Sequence, residues 1–185
     1  MRTRFSLSIL TLLASLWCTS PTAFAQQTTG HPAPDWLLAD WAEKTAGSGI
    51  WITDNSEFRS EQEPFDAYGL QWEYGLGDRS LFGRLYCLRE GEEVRTAWQF
   101  LIYWDPAAAV ARVVQIGGDG TVGQGTIYRL DDGRIEERQL FVSPQGGSFE
   151  SGHRAWTDEG AHHTRSYSID DGEWTARRYY IWRPQ

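Results

Sequence analysis

The sequence predicts an all-β protein, a ten-stranded antiparallel up-and-down barrel with one short N-terminal helix. Three observations carry that expectation. Ten short runs rich in Val, Ile, Thr and aromatic residues follow one another at nearly even spacing. The connectors between them hold turn chemistry, among them Gly77-Asp78, Glu90-Gly91, Asp105-Pro106, Asp132-Gly133 and Asp171-Gly172. Aromatics make up 14% of the chain, a share suited to strands whose large side chains line an interior. An open sheet of this size would expose edges, and closure into a barrel removes them.

Taken in order, residues 1–25 read as a signal peptide. Arg2 and Arg4 form the positive start, residues 7–17 the apolar stretch, and Ala23-Phe24-Ala25 the small-x-small cleavage site. The apolar run is too short to span a bilayer, and no second run of that length follows, so no membrane insertion is expected. Residues 26–33 are expected to form a polar, mobile leader, and residues 34–185 one calycin-like barrel domain. The helix spans residues 34–45: Pro34 opens it, Leu37 and Leu38 share a face with Trp41, and Gly47 ends it. Ile50-Trp51-Ile52 is the first strand. Nine more follow at 65–74, 81–88, 94–104, 111–116, 121–130, 134–142, 148–157, 161–169 and 173–182. The reading places the protein in the periplasm or outside the cell.

The formal charge is −8, and loss of Arg2 and Arg4 with the leader makes it more negative by two units. So acidic a chain is poorly suited to nucleic acid or an anionic membrane surface. Cleavage also removes Cys18 and leaves Cys87 alone, so no internal disulfide is expected and Cys87 reads as buried apolar filler.

The last hairpin carries the sharpest functional signal. Asp171-Gly172 suits a type I′ turn, which needs positive φ at both central residues. An unbroken register then sets Arg165 opposite Arg178, His163 opposite Tyr180 and Tyr167 opposite Ala176. The face holding most of the aromatic and aliphatic bulk is taken as inward. Two arginines would then face each other inside the barrel and call for an anion between them. Asp66, on the same reading of the second strand as Tyr68 and Trp72, is the candidate protein partner. The alternatives stay open: an internal ion-pair network, or a ligand that supplies the missing charge. In the second case Arg178→Met should hold or raise the stability of the ligand-free protein. Arg84 and Arg154 are further candidates for the cluster, although a one-residue slip would exchange Arg154 for His153.

A short N-terminal helix, Gly49-Ile50-Trp51 leading into the first strand, and an antiparallel meander together resemble the calycin barrels, which include the lipocalins and fatty-acid-binding proteins. The blocks Glu63-Pro64-Phe65-Asp66-Ala67-Tyr68-Gly69 and Gly152-His153-Arg154 resemble a set of uncharacterised exported bacterial proteins. The calycin resemblance implies an interior cavity. Arg178-Tyr179-Tyr180 resembles the carboxylate-holding Arg-x-Tyr on the last strand of fatty-acid-binding proteins.

Other motifs read as structure. Gly117-Gly118-Asp119-Gly120-Thr121 resembles a phosphate-binding loop, but that chemistry needs a helix to follow, and the following residues are strand-like. His162 and His163 are adjacent on a strand and point to opposite faces, so no metal site is expected. No cofactor is expected either. The expected partner is a small, partly apolar molecule with an anionic or polar group, bound by Arg165, Arg178, Tyr180, His163, Tyr167, Asp66, Tyr68, Trp72, Arg84 and Arg154. The alternatives are a small-molecule isomerase, cyclase or hydrolase using a His/Asp pair in the cavity, or a structural barrel with no ligand.

Overall fold

Ten antiparallel strands, each paired with its neighbours in sequence, close into a barrel in which β1 meets β10. The computed structural model describes residues 30–185, so the expected signal peptide and residues 26–29 of the leader lie outside the described residues. Helix α1 (Asp35–Lys44) precedes β1 (Ile50–Asp54), β2 (Ala67–Tyr74), β3 (Ser80–Arg89), β4 (Glu92–Asp105) and β5 (Val110–Gly117). The second half comprises β6 (Val122–Arg129), β7 (Ile135–Val142), β8 (Ser148–Asp158), β9 (Ala161–Asp170) and β10 (Glu173–Pro184). The fold is the all-β up-and-down barrel with one short helix that the turn spacing implies, and it is compatible with a calycin-like barrel. Among the described residues no helix is long and apolar enough to cross a membrane.

Helix α1 closes one end. Leu37 and Trp41, at i and i+4 on its apolar face, are fully buried in a cluster with Trp51, Leu81, Ile102 and Ala111. The Trp51 indole N–H donates to the Lys44 carbonyl at 2.9 Å and so ties the last turn to β1. The opposite end is crossed by residues 55–66, which join β1 to β2 through a short 3-10 turn.

The last hairpin turns as the Asp-Gly step dictates, with φ of 48° at Asp171 and 85° at Gly172. Its register departs from the simple one. Residues Glu173 to Ala176 pair with Asp170 to Tyr167 as counted from the turn, but a bulge at Arg177-Arg178 shifts the rest by one. Arg165 therefore faces Tyr179, not Arg178, and His163 faces Ile181, not Tyr180. A bulge inserts one residue and reverses which side chains point inward beyond it. Arg178 and Tyr180 turn into the barrel, while Arg165 stays outside. The opposed inward arginines do not exist.

Bulk also misleads on β9. Its inward side chains are His162, Thr164 and Ser166, which line the interior. Its larger ones dress the outside: His163 stacks on Trp156 at 5.2 Å, and Tyr167 packs edge-on to Trp174 at 5.3 Å. Outward cross-strand aromatic pairs stabilise a barrel wall as well as inward ones do, and small inward residues leave room inside.

Gly117-Gly118-Asp119-Gly120-Thr121 forms the β5–β6 turn, with Gly120 at φ 87° and the Thr121 N–H donating to Asp119 at 2.9 Å. A strand follows it, as expected, so the loop lacks the helix a phosphate would need.

Candidate functional site

The register sorts the barrel interior into two unlike walls. On β2 to β6 the inward side chains around the interior cavity are mainly apolar: Leu70, Trp72, Leu85, Trp98, Phe100, Ile102 and Ile127. Across from them, Glu137 on β7, His153 on β8 and Ser166 on β9 are direct cross-strand neighbours and form a polar row. One step toward the helix, Ile135, Ala155 and Thr164 form the next row, with Tyr180 beside Thr164. Lys44, at the end of α1, and His162 close the helix end. The cavity holds about 220 Å³. That is room for roughly seven waters, or a molecule of fragment size.

Three titratable groups of this cavity, Glu137, His153 and His162, are shifted toward neutrality. Glu137 Oε1 lies 3.8 Å from His153 Nδ1, close but beyond hydrogen-bond distance. Burial pushes the Glu137 carboxyl up to about 7, against an opposing pull from Lys44 and with a smaller push from Asp40. Burial pushes His153 down to about 4. It pushes His162 down to about 3, with Lys44 and His163 adding to the effect. His153 and Glu137 keep 37% and 19% of their side-chain surface accessible, and that surface is cavity wall. Lys44 is already engaged by Asp40, Nζ to Oδ2 at 2.6 Å. Near neutral pH the wall is thus weakly charged, rich in hydrogen-bonding groups and next to aromatic surface. Among the described residues no three His, Cys, Asp or Glu side chains stand close enough to hold a metal ion.

Only part of the expected site lies here. Tyr180 and Trp72 line the cavity. Arg178 and Tyr68 face inward at the connector end, where Glu63 holds both. Arg178 Nη2 donates to Glu63 Oε2 at 2.6 Å and Nη1 donates to Oε1, while the Tyr68 hydroxyl donates to the same carboxylate. Arg178 Nη1 also donates to the Tyr180 hydroxyl, which donates to Asn55 Oδ1, each at 3.1 Å. The Arg178 charge is neutralised by this network. Hydrogen bonding from Arg178, outweighing burial, holds the Glu63 carboxyl below the usual carboxylate range. Asp66, the expected partner, instead meets Arg59 at 2.6 Å and the Glu90 N–H.

The remaining candidates are outside. Arg165 is exposed and lies over the Tyr179 ring at 5.0 Å. His163 Nδ1 meets the Tyr179 hydroxyl at 2.5 Å. Arg154 pairs with Glu136 at 2.8 Å and lies over Tyr167 and Trp174, so His153 and not Arg154 faces the interior. Arg84 pairs with Glu93 and Gln71 beside a larger hollow of about 580 Å³. That hollow lies between outward side chains such as Phe82, Leu101 and Ile116, away from the titratable groups of the interior.

Sequence reasoning missed Glu137, Gln115, Ser166, Thr164 and Glu63. The alternation Ile135-x-Glu137-x-Gln139-x-Phe141 does carry a signal, since two polar residues share a face bounded by apolar ones. The opposite face, Glu136-x-Arg138-x-Leu140-x-Val142, is as mixed, so pattern alone does not choose between them. Comparison with family models, with curated proteins and with solved structures finds no match to the chain, so the case for function stands on the cavity.

Proposed function

We propose that the chain is an exported binding protein for a small, partly apolar ligand with one polar group, held in the interior cavity. The observation that carries this reading is the division of the interior into an aromatic wall and a polar row of Glu137, His153 and Ser166. A pocket of mainly apolar lining with a few convergent polar groups is what small-molecule recognition requires. The calycin resemblance supports it, because those barrels use their interiors to bind. The cavity of about 220 Å³ suits a compact molecule better than a long acyl chain. With Arg178 neutralised by Glu63, an anionic head group has lost the partner that the opposed arginines would have offered. The leader pattern supports delivery to the periplasm or the exterior.

Thermal melts with a panel of single-ring aromatic amides, alcohols and acids test the reading. Some of these should raise the melting temperature of the wild type, and none should raise that of Ala155→Phe, which fills the cavity. Equal responses from both proteins would place binding elsewhere.

A second reading, an isomerase, cyclase or hydrolase, is favoured by Glu137 and His153 standing together within the cavity, where the carboxyl is held near neutrality. The carboxylate would be Glu137 in place of Asp66. A ligand retained from the host should then be converted by the wild type and left unchanged by Glu137→Gln. Recovery of the same compound from both would remove this reading.

A further inference from the structure

Two glutamine side chains inside the barrel hold buried amide atoms with no hydrogen-bond partner among the described residues. Gln115 on β5 lines the cavity with 6% of its surface accessible, and its Oε1 is unpartnered. Gln139 on β7, two residues beyond Glu137 on the same inward face, is 1% accessible with both Oε1 and Nε2 unpartnered, but it lies outside the cavity lining. A buried amide left unpaired forfeits the hydrogen bonds it had with water, which is why native interiors rarely keep one without an occupant to meet it.

The other polar groups nearby are already used or are weakly charged. Ser166 Oγ accepts from the Arg178 N–H at 3.1 Å, and Thr164 Oγ1 accepts from the Trp182 indole at 2.9 Å. Among the described residues no unpaired cation faces this floor, and Glu137 stands beside it. A carboxylate ligand would meet a carboxyl and find no counter-charge, whereas a group with both an N–H donor and a C=O acceptor can pair with the Gln115 amide. Resting on the cavity-binding reading, we infer that the polar group the barrel takes is an uncharged donor–acceptor group of the amide, urea or lactam type, read by Gln115.

Calorimetric titration with benzamide, benzoate and toluene tests this, since the three share one apolar body and differ in the head group. Benzamide should bind about tenfold more tightly than either of the others. Gln115→Met should bring benzamide down to the level of toluene and leave toluene unchanged, whereas Gln139→Met, away from the cavity lining, should leave both unchanged. The glutamine side-chain N–H₂ resonances of the wild type give a measure that does not depend on a variant folding, and benzamide should move those of Gln115. Benzoate equalling benzamide, or resonances that stay in place at saturation, would overturn the inference. Binding of toluene with no preference for the amide overturns it too but leaves the cavity reading standing. Binding of none of the three removes both.

Discussion

Arg178 on β10 and Glu63 in the β1–β2 connector form a two-point ion pair that fastens the connector across one end of the barrel. Phe58 adds to the fastening: it lies under the Arg178 guanidinium at 5.0 Å and edge-on to Tyr180 at 5.4 Å. The pair rules out the expectation that removing Arg178 would relieve repulsion.

Arg178→Met should lower ligand-free stability by about 1–3 kcal/mol, below the full buried-pair range, because 40% of the arginine side chain is exposed. The double variant with Glu63→Gln should lose less than the two single losses combined, as contacting residues do. The folded carboxyl of Glu63 sits below its ordinary value of 4.5. Its contribution is therefore full above pH 4.5 and lost as pH falls through the lowered folded value. Denaturant titrations at pH 7 and pH 3 check both points, and an unchanged Arg178→Met stability at pH 7 would contradict them.

Glu137 runs the other way. Its folded value of about 7 lies above the ordinary 4.5, so its contribution is full below pH 4.5 and lost as pH rises through 7. The loss is at most about 3 kcal/mol and smaller to the extent that water fills the cavity. His153 and His162, with folded values of about 4 and 3 against an ordinary 6.5, oppose it, losing stability as pH falls below 6.5. The other groups facing Glu137 are Lys44 and Asp40, already paired. Melting temperatures of wild type and Glu137→Gln should diverge in favour of the variant between pH 5 and pH 8. Parallel curves would show that Glu137 is not held protonated by the fold.

Gln139→Met should raise ligand-free stability by about 1–2 kcal/mol, since it replaces an unpaired buried amide with an apolar side chain of similar length. Chemical denaturation measures it, and a loss of stability would mean that the amide has a partner in solution.

Cys87 is a free thiol with 1% of its surface accessible, and burial raises its pKa, the opposite of what a nucleophile requires. Cys87→Ser should cost about 1 kcal/mol and leave the circular dichroism spectrum unchanged. A covalent dimer of the wild type under oxidising conditions would contradict the buried thiol.

The barrel was legible because each turn announces itself locally, as Asp171-Gly172 does through its positive φ values and Pro34 does at the start of α1. The site was less legible, for two physical reasons. A bulge such as that at Arg177-Arg178 leaves no compositional mark, yet it reverses the facing of everything beyond it. Bulk is also a poor guide to the inside of a hollow barrel, where Ser166 and Thr164 make the space and Trp156, His163 and Tyr179 clothe the exterior. Glu63 lies 115 residues from its partner, a pairing that no local pattern reveals.

Native mass spectrometry of the protein purified from its own host tests the central claim most directly, because a retained occupant is weighed whatever its chemical identity. The expected result is a mass excess of one small uncharged molecule per chain, lost on denaturation and absent from Ala155→Phe. A wild-type protein that flies at the mass of its polypeptide alone, and whose melting temperature no compact amide or aromatic raises, would contradict the account and leave a barrel whose interior serves only its own fold.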